Sequence, residues 1–170
     1  MKVWLIVDMF KGILKSYGPY VLVILIVVLI RTFLFTPVIV QGTSMVPTLK
    51  DGNIMILNKV AKIDRFDIVV IKSKKTSSTL IKRVIGMPGE TISISDGHVY
   101  INGKKINTHH NDDLTIDFPE TIIGKDEYFV LGDNRPVSAD SRIYGTFKKS
   151  EIKGTTRLRI FPFTKIKLVK

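Results

Sequence analysis

The sequence predicts a mainly β protein carried behind a single N-terminal transmembrane helix. Three observations carry that expectation. An uncharged run lies near the N-terminus, short β-rich segments recur after residue 37, and no sustained 3.6-residue period appears beyond the first segment. Two parts follow: residues 1–36 as cytoplasmic N-terminus and membrane anchor, and residues 37–170 as an extracytoplasmic, coiled or barrel-like antiparallel β domain.

The anchor is read from residues 17–36, where YVLVILIVVLI (Tyr20 to Ile30) continues past Arg31 into TFLFT. About 20 residues at 1.5 Å each cross the hydrocarbon core, and the long stem of Arg31 can snorkel to the headgroups. Lys2, Lys11 and Lys15 precede the run, whereas only Lys50 lies in the short flank after it, which places the N-terminus in the cytoplasm. Asp8, Lys11 and Lys15 share one face of an amphipathic lead-in, and Gly18-Pro19 predicts a break or kink. The only alanines are Ala61 and Ala139, so no A-x-A site follows the run and the anchor is expected to stay uncleaved.

Composition narrows the rest. The chain has 170 residues, 45% of them hydrophobic and 24% charged, enough for one core. With no cysteine there is no disulfide framework, thiolate metal site or cysteine nucleophile. The three histidines (His98, His109, His110) do not suggest a metal cage, and His109-His110 read as solvated loop residues. The net charge of +11 fits anionic lipid headgroups better than nucleic acid, since neither a stacking platform nor a recognition helix is apparent. No cofactor and no metal are expected.

Strands are expected at Pro37–Gln41, Ile54–Lys59, Asp67–Lys72, Thr79–Gly86, Thr91–Ser95, His98–Ile101, Tyr128–Leu131, Thr155–Ile160 and Lys165–Val169. Asp96-Gly97 and Asn102-Gly103 are type I′ turn signals that make residues 91–107 a three-strand meander. The polar stretch 107–127 reads as an insertion between strands.

Three segments are candidates for chemistry. Gly42–Leu49 places Ser44 in a tight turn, where a serine alone is most simply a turn former. Ile81–Glu90 puts Lys82 and Arg83 inside an apolar strand. Alternation sets them on opposite faces, so one must lean to the more buried side; taken alone, a strand lysine discourages edge aggregation. Gly132–Arg142 is a dense polar loop after an apolar strand.

Together S-M-x-P-T-L, K-R-V-I-G-x-P-G and G-D-N-R-x-x-S-x-D-S-R, in this order behind one span, resemble bacterial type I signal peptidases, the serine–lysine dyad protease family. The resemblance covers nearly the whole chain. It implies Ser44 as nucleophile and Lys82 as general base. It also implies Ser138 as the residue that directs the lysine amine, and Asp140 with Arg142 as a loop-fixing pair. The implied activity is endoproteolytic removal of signal peptides from secreted preproteins after small residues, at A-x-A type sites, by a protein held in the cell membrane.

The chemistry is coherent. A serine hydroxyl needs a base within reach, and lysine serves only when neutral, which burial favours; Arg83 is expected to push the same way. The backbone N–H of Ser44 is the first expected oxyanion donor, and the second is either a backbone group such as Gly42 N–H or Thr43. The resemblance is imperfect at Gly42, where part of the family has a serine. It departs also at Phe66, where glycine often precedes the aspartate matching Asp67, at Asn53 for an aspartate, and at Val137 for an asparagine. The substrate is expected to dock as an added strand against Ile39, Val40, Gln41, Leu80 and Ile81. Ser44 lies within roughly 27 Å of the anchor's outer end even on a fully extended chain. Two alternatives remain: a self-cleaving repressor-type serine–lysine protease, which would need a DNA-binding domain instead of the anchor, and a catalytically silent binding homologue, which loss of Ser44 or Lys82 would signal.

Overall fold

The structure is a computed structural model and describes residues 2–76, 78–108 and 115–169. It divides into two compact units, residues 1–36 and 37–170. His109 and His110 lie outside the described residues.

The first unit is helix α1 (Lys2–Phe33). Within it Lys11–Thr32 has a mean hydropathy of 2.3 and is long and apolar enough to cross a membrane. The break expected at Gly18-Pro19 does not occur, and α1 runs through Pro19. Proline deletes one backbone donor and crowds one carbonyl, a local fault that a helix in an apolar medium tolerates because leaving the remaining backbone groups unbonded there costs more. Residues 34–36, expected to extend the span, instead leave the helix.

The second unit is built from strands. The larger sheet is an open, half-barrel antiparallel arrangement that uses β1 (Phe35–Ile39), β2 (Ile54–Asn58), β3 (Ile68–Ile71) and β4 (Leu80–Gly86). It also uses β9 (Glu127–Leu131), β10 (Phe147–Lys148) and β11 (Ile152–Phe161). Their order is β1-β2-β11-β3-β4-β9-β10, and β12 (Lys167–Leu168) pairs with β11. The smaller sheet contains β5 (Thr91–Ser95), β6 (His98–Ile101), β7 (Lys104–Lys105) and β8 (Phe118–Ile122), ordered β7-β6-β5-β8.

The meander over 91–107 forms as expected. Asp96, Gly97, Asn102 and Gly103 all have positive φ, as two type I′ turns require. The segment 107–127 is more than an insertion, because β8 lies within it. Its Pro119 cannot donate to a ladder, and β8 sits at a sheet edge where that is tolerated.

Three apolar clusters set the strands in place. Ile85, Phe129 and Leu131 meet Ile92, Ile94, Val99 and Ile101, joining the two sheets. Val69, Ile71, Val84, Val130 and Phe147 form a second cluster. Val40, Met45, Leu49, Met55, Ile68 and Val169 form a third. Burial of this kind contributes roughly 1.5–3 kcal/mol per large side chain. Strand β4 runs through all three, with Leu80 and Val84 on the second cluster, Ile81 on the third and Ile85 on the first. Both faces of β4 are therefore covered, and the expectation that only one of its two cations would be buried fails: Lys82 is 3% exposed and Arg83 2%.

Candidate active site

Ser44 is positioned by its neighbours in sequence. Met45 and Leu49 plunge into the third cluster, and the turn between them is closed by Leu49 N donating to Met45 O at 2.8 Å. Val46 N donates to Thr43 O at 3.1 Å. With that segment pinned, the half-buried Ser44 side chain points toward β4, and Lys82 Nζ is hydrogen-bonded to Ser44 Oγ at 2.6 Å.

Lys82 shares its strand face with Leu80 and Val84, both in the second apolar cluster. Burial pushes the Lys82 ammonium down from 10.5 to about 8; the carboxylates of Asp140 and Asp133 oppose this and the Arg142 guanidinium assists. The cation expected to help, Arg83, is not among the causes. Its guanidinium is spent on Asp133, with Nε donating to Oδ1 at 2.8 Å and Nη2 to Oδ2 at 2.7 Å, while Nη1 donates to Phe66 O at 2.7 Å.

The polar loop after β9 holds this arrangement from the other side. Asn134 N donates to Ser44 O at 3.0 Å and Asn134 Nδ2 to Thr43 O at 3.2 Å, so the loop clamps the backbone of the Ser44 segment. Asp140 accepts from Gly132 N at 3.0 Å and from Arg142 Nε and Nη2, each at 2.9 Å. Arg142 Nη2 also donates to Arg135 O at 2.7 Å. Arg135, 1% exposed, reaches Gly132 O, Thr115 Oγ1 and Thr108 Oγ1. Close approach explains Gly132: a Cβ there would stand 2.2 Å from Ser138 Oγ and 2.6 Å from Ser44 O.

In three places the contacts differ from those expected. Ser138 does not hydrogen-bond the amine; its Oγ is buried and has no partner among the described residues. Gly42 N–H donates to Asp51 Oδ1 at 2.7 Å and is not free for an oxyanion. No bond of that kind engages Ser44 N–H among the described residues. Val40 is 2% exposed, a core residue of the third cluster rather than a pocket wall, and its backbone is bonded to Gly52 and Asn53.

The other expected walls are accessible. Ile39 and Gln41 are exposed, and Leu80 and Ile81 are half-buried. Strand β4 pairs with β3 from Leu80 onward, but its pairing with β9 starts only at Arg83. The β9-facing edge of Leu80, Ile81 and Lys82 thus stays open beside the Ser44–Lys82 pair.

Sequence reasoning did not assign Asp133, Asn134, Gly132 or Arg135. The available signal for Asp133 was a second cation inside the apolar strand, since a guanidinium that becomes buried is costly without a partner. Phe66 also proves informative. It adopts a φ of 70°, the left-handed region that glycine favours, at a cost of about 1–2 kcal/mol. Its carbonyl is thereby presented to Arg83 while its ring packs on the first cluster.

Among the described residues, no group of three or more His, Asp or Glu is arranged to hold a metal ion. The family model "Signal peptidase, peptidase S26" matches residues 13–161. Signal peptidase I P of Bacillus subtilis subsp. natto is 37% identical, over 94% of this chain and 95% of that protein. Signal peptidase I T of Bacillus subtilis (strain 168) is 39% identical, over 88% of this chain and 86% of that protein. A crystal structure of a signal peptidase I from Enterococcus faecalis V583 is 33% identical, covering 56% of this chain and 97% of that chain, with a TM-score of 0.49. A matched segment that spans both the buried lysine and the serine beside it, together with relatives aligned along nearly their whole length, makes this chain a peptidase of the signal peptidase family, peptidase S26.

Proposed function

We propose that this chain is a membrane-bound serine endopeptidase that removes signal peptides from secreted preproteins after small residues. Ser44 is the nucleophile and Lys82 the general base. The observation that carries the reading is the 2.6 Å contact between Lys82 Nζ and Ser44 Oγ at a lysine whose burial brings its pKa to about 8. A neutral amine there takes the hydroxyl proton as Oγ attacks the scissile carbonyl. The oxyanion is received by Ser44 N–H. The ammonium then protonates the departing amine, leaving an acyl-enzyme. Water attacks that ester, giving its proton to Lys82, which passes it to Ser44 Oγ as the acyl group leaves as the free acid, and Ser44 is regenerated.

The substrate docks as an added strand along the open edge at Leu80–Lys82, with Ile39, Gln41, Leu80 and Ile81 near its alternate side chains. Asp140 and Arg142 fix the loop rather than transfer protons. Residues 1–36 form the cytoplasmic N-terminus and anchor, and residues 37–170 the extracytoplasmic catalytic domain beside anionic lipid. The test is incubation of the detergent-solubilised full-length protein with a precursor carrying an A-x-A site, beside Lys82→Ala and Ser44→Ala. The wild type should release the mature protein and both variants should not. Retained turnover in either folded variant refutes the dyad.

A further inference from the structure

A second feature lies in the catalytic unit, outside the proposed dyad. A cavity of about 720 Å³ is lined by Lys50, Asp51, Asn53, Arg159, Lys165 and Lys167, with Phe161 and Leu168 among its apolar wall. Arg159 is 8% exposed. Among the described residues, Arg83 is paired with Asp133, and each of the three side-chain nitrogens of Arg135 makes a hydrogen bond. Arg159 has only neutral acceptors, Nε donating to Lys165 O at 3.1 Å and Nη1 to Asn53 Oδ1 at a long 3.5 Å. No carboxylate lies within ion-pair distance of it among the described residues, and Nη2 makes no hydrogen bond there.

A buried guanidinium without an anion is costly, and here three lysines add like charge to the same wall. Asp51, the only acid among the described residues lining the cavity, accepts from Gly42 N–H and makes no ion pair with Arg159. We infer that this cavity is an anion site for a phosphate group, with Arg159 as its floor and Lys50, Lys165 and Lys167 as its rim. A phosphate offers several acceptor oxygens to a planar guanidinium fork and to point-charge ammoniums together, which a single carboxylate does not. The volume leaves room for an ester substituent, so the group is either free phosphate or the phosphodiester of an anionic lipid headgroup.

The test uses the full-length protein in neutral detergent. Calorimetric titration with sodium phosphate is compared with sodium chloride at equal ionic strength. In parallel, native mass spectrometry reads retention of phosphatidylglycerol against phosphatidylcholine. Saturable phosphate binding assigns free phosphate; selective phosphatidylglycerol retention without it assigns a lipid headgroup. Asn53→Asp is the decisive variant, since it is isosteric and puts a carboxylate beside Arg159. It should weaken whichever ligand binds by about tenfold or more. Lys165→Gln with Lys167→Gln, both exposed, should weaken it less. Phosphate heats matching those of chloride, together with lipid retention unchanged by Asn53→Asp, overturn the proposal. Cleavage of a soluble peptide should persist in these variants, so failure of this site and failure of the dyad are separate results.

Discussion

Lys82 and Arg83 are neighbours on β4, face opposite ways and are almost equally buried, at 3% and 2% exposure. Their surroundings give them opposite fates. Arg83 meets Asp133 through two hydrogen bonds and a backbone carbonyl, so its charge is held in place. Lys82 meets a hydroxyl, and the carboxylate of Asp140 that would favour its charge is already shared with Arg142 and Gly132 N–H. Desolvation therefore prevails at Lys82 and its pKa falls to about 8. One strand thus carries a cation held by a carboxylate and, beside it, an amine whose charge burial disfavours, and what separates them is which partner each was given.

The sharpest way to break that contrast is to make position 82 permanently cationic. Lys82→Arg keeps charge and reach but cannot lose its proton near neutral pH. Precursor cleavage should drop by about a thousandfold or more, within the range expected for removing a general base. Combining it with Ser44→Ala should add little, because the two groups act as a unit. Cleavage rates of the single and double variants, with far-ultraviolet circular dichroism as a fold control, check this.

On the Arg83 face the large effect should fall on stability. Arg83→Ala removes the bidentate partner of a carboxylate that is 1% exposed, and breaking a buried pair costs about 3–5 kcal/mol. Denaturant unfolding in detergent measures it. A loss under about 1 kcal/mol would mean that Asp133 finds other compensation and that the two faces are less different than their geometry implies.

How much of this was legible beforehand depends on range. The apolar helix, the meander and the two Asx-Gly turns come from local chemistry; the meander and turns fall where expected, whereas the apolar stretch begins and ends earlier than residues 17–36. The contact between the proposed nucleophile and base was legible only through motifs, since nothing local in Gly42–Leu49 or Leu80–Gly86 says that Ser44 and Lys82 meet across 38 positions. Asn134 clamping Ser44 O, and Gly42 N–H being consumed by Asp51, are set by loop packing that no periodicity encodes. Val40 misled because β1 ends at Ile39. The chain then turns inward, and strand alternation no longer tells which way a side chain faces.

Removing the Lys82 amine should have a smaller, opposite effect on stability. The unfolded chain binds this proton up to about pH 10.5 and the folded chain only up to about 8, so folding is penalised by about 3 kcal/mol below pH 8. That penalty fades between pH 8 and 10.5. Lys82→Met should accordingly be inactive but more stable than wild type at pH 7, by no more than this amount, and the gap should close by pH 10.5. Unfolding midpoints across that pH range decide it; a gap independent of pH would mean that the lysine is not carrying the desolvation cost.

The smallest effect concerns Ser138. Its hydroxyl is buried and without a partner among the described residues, and it crowds the space that a Cβ at Gly132 would fill, as Ser44 O does. An unsatisfied hydroxyl costs about 1–3 kcal/mol, so Ser138→Ala should not lower stability. When Lys82 takes up the serine proton, however, an ammonium appears in the same pocket, and a hydroxyl otherwise without a bond is suited to accept from it. A hydrogen bond to a charged group contributes about 1.5–3 kcal/mol, so Ser138→Ala should lower kcat by about tenfold or somewhat more. Because the hydroxyl favours the charged amine, its removal should also move the rising limb of the pH–rate profile to lower pH. A packing role would leave that limb where it is. The position of the limb therefore separates a residue that directs the amine from one that only fills the space behind it.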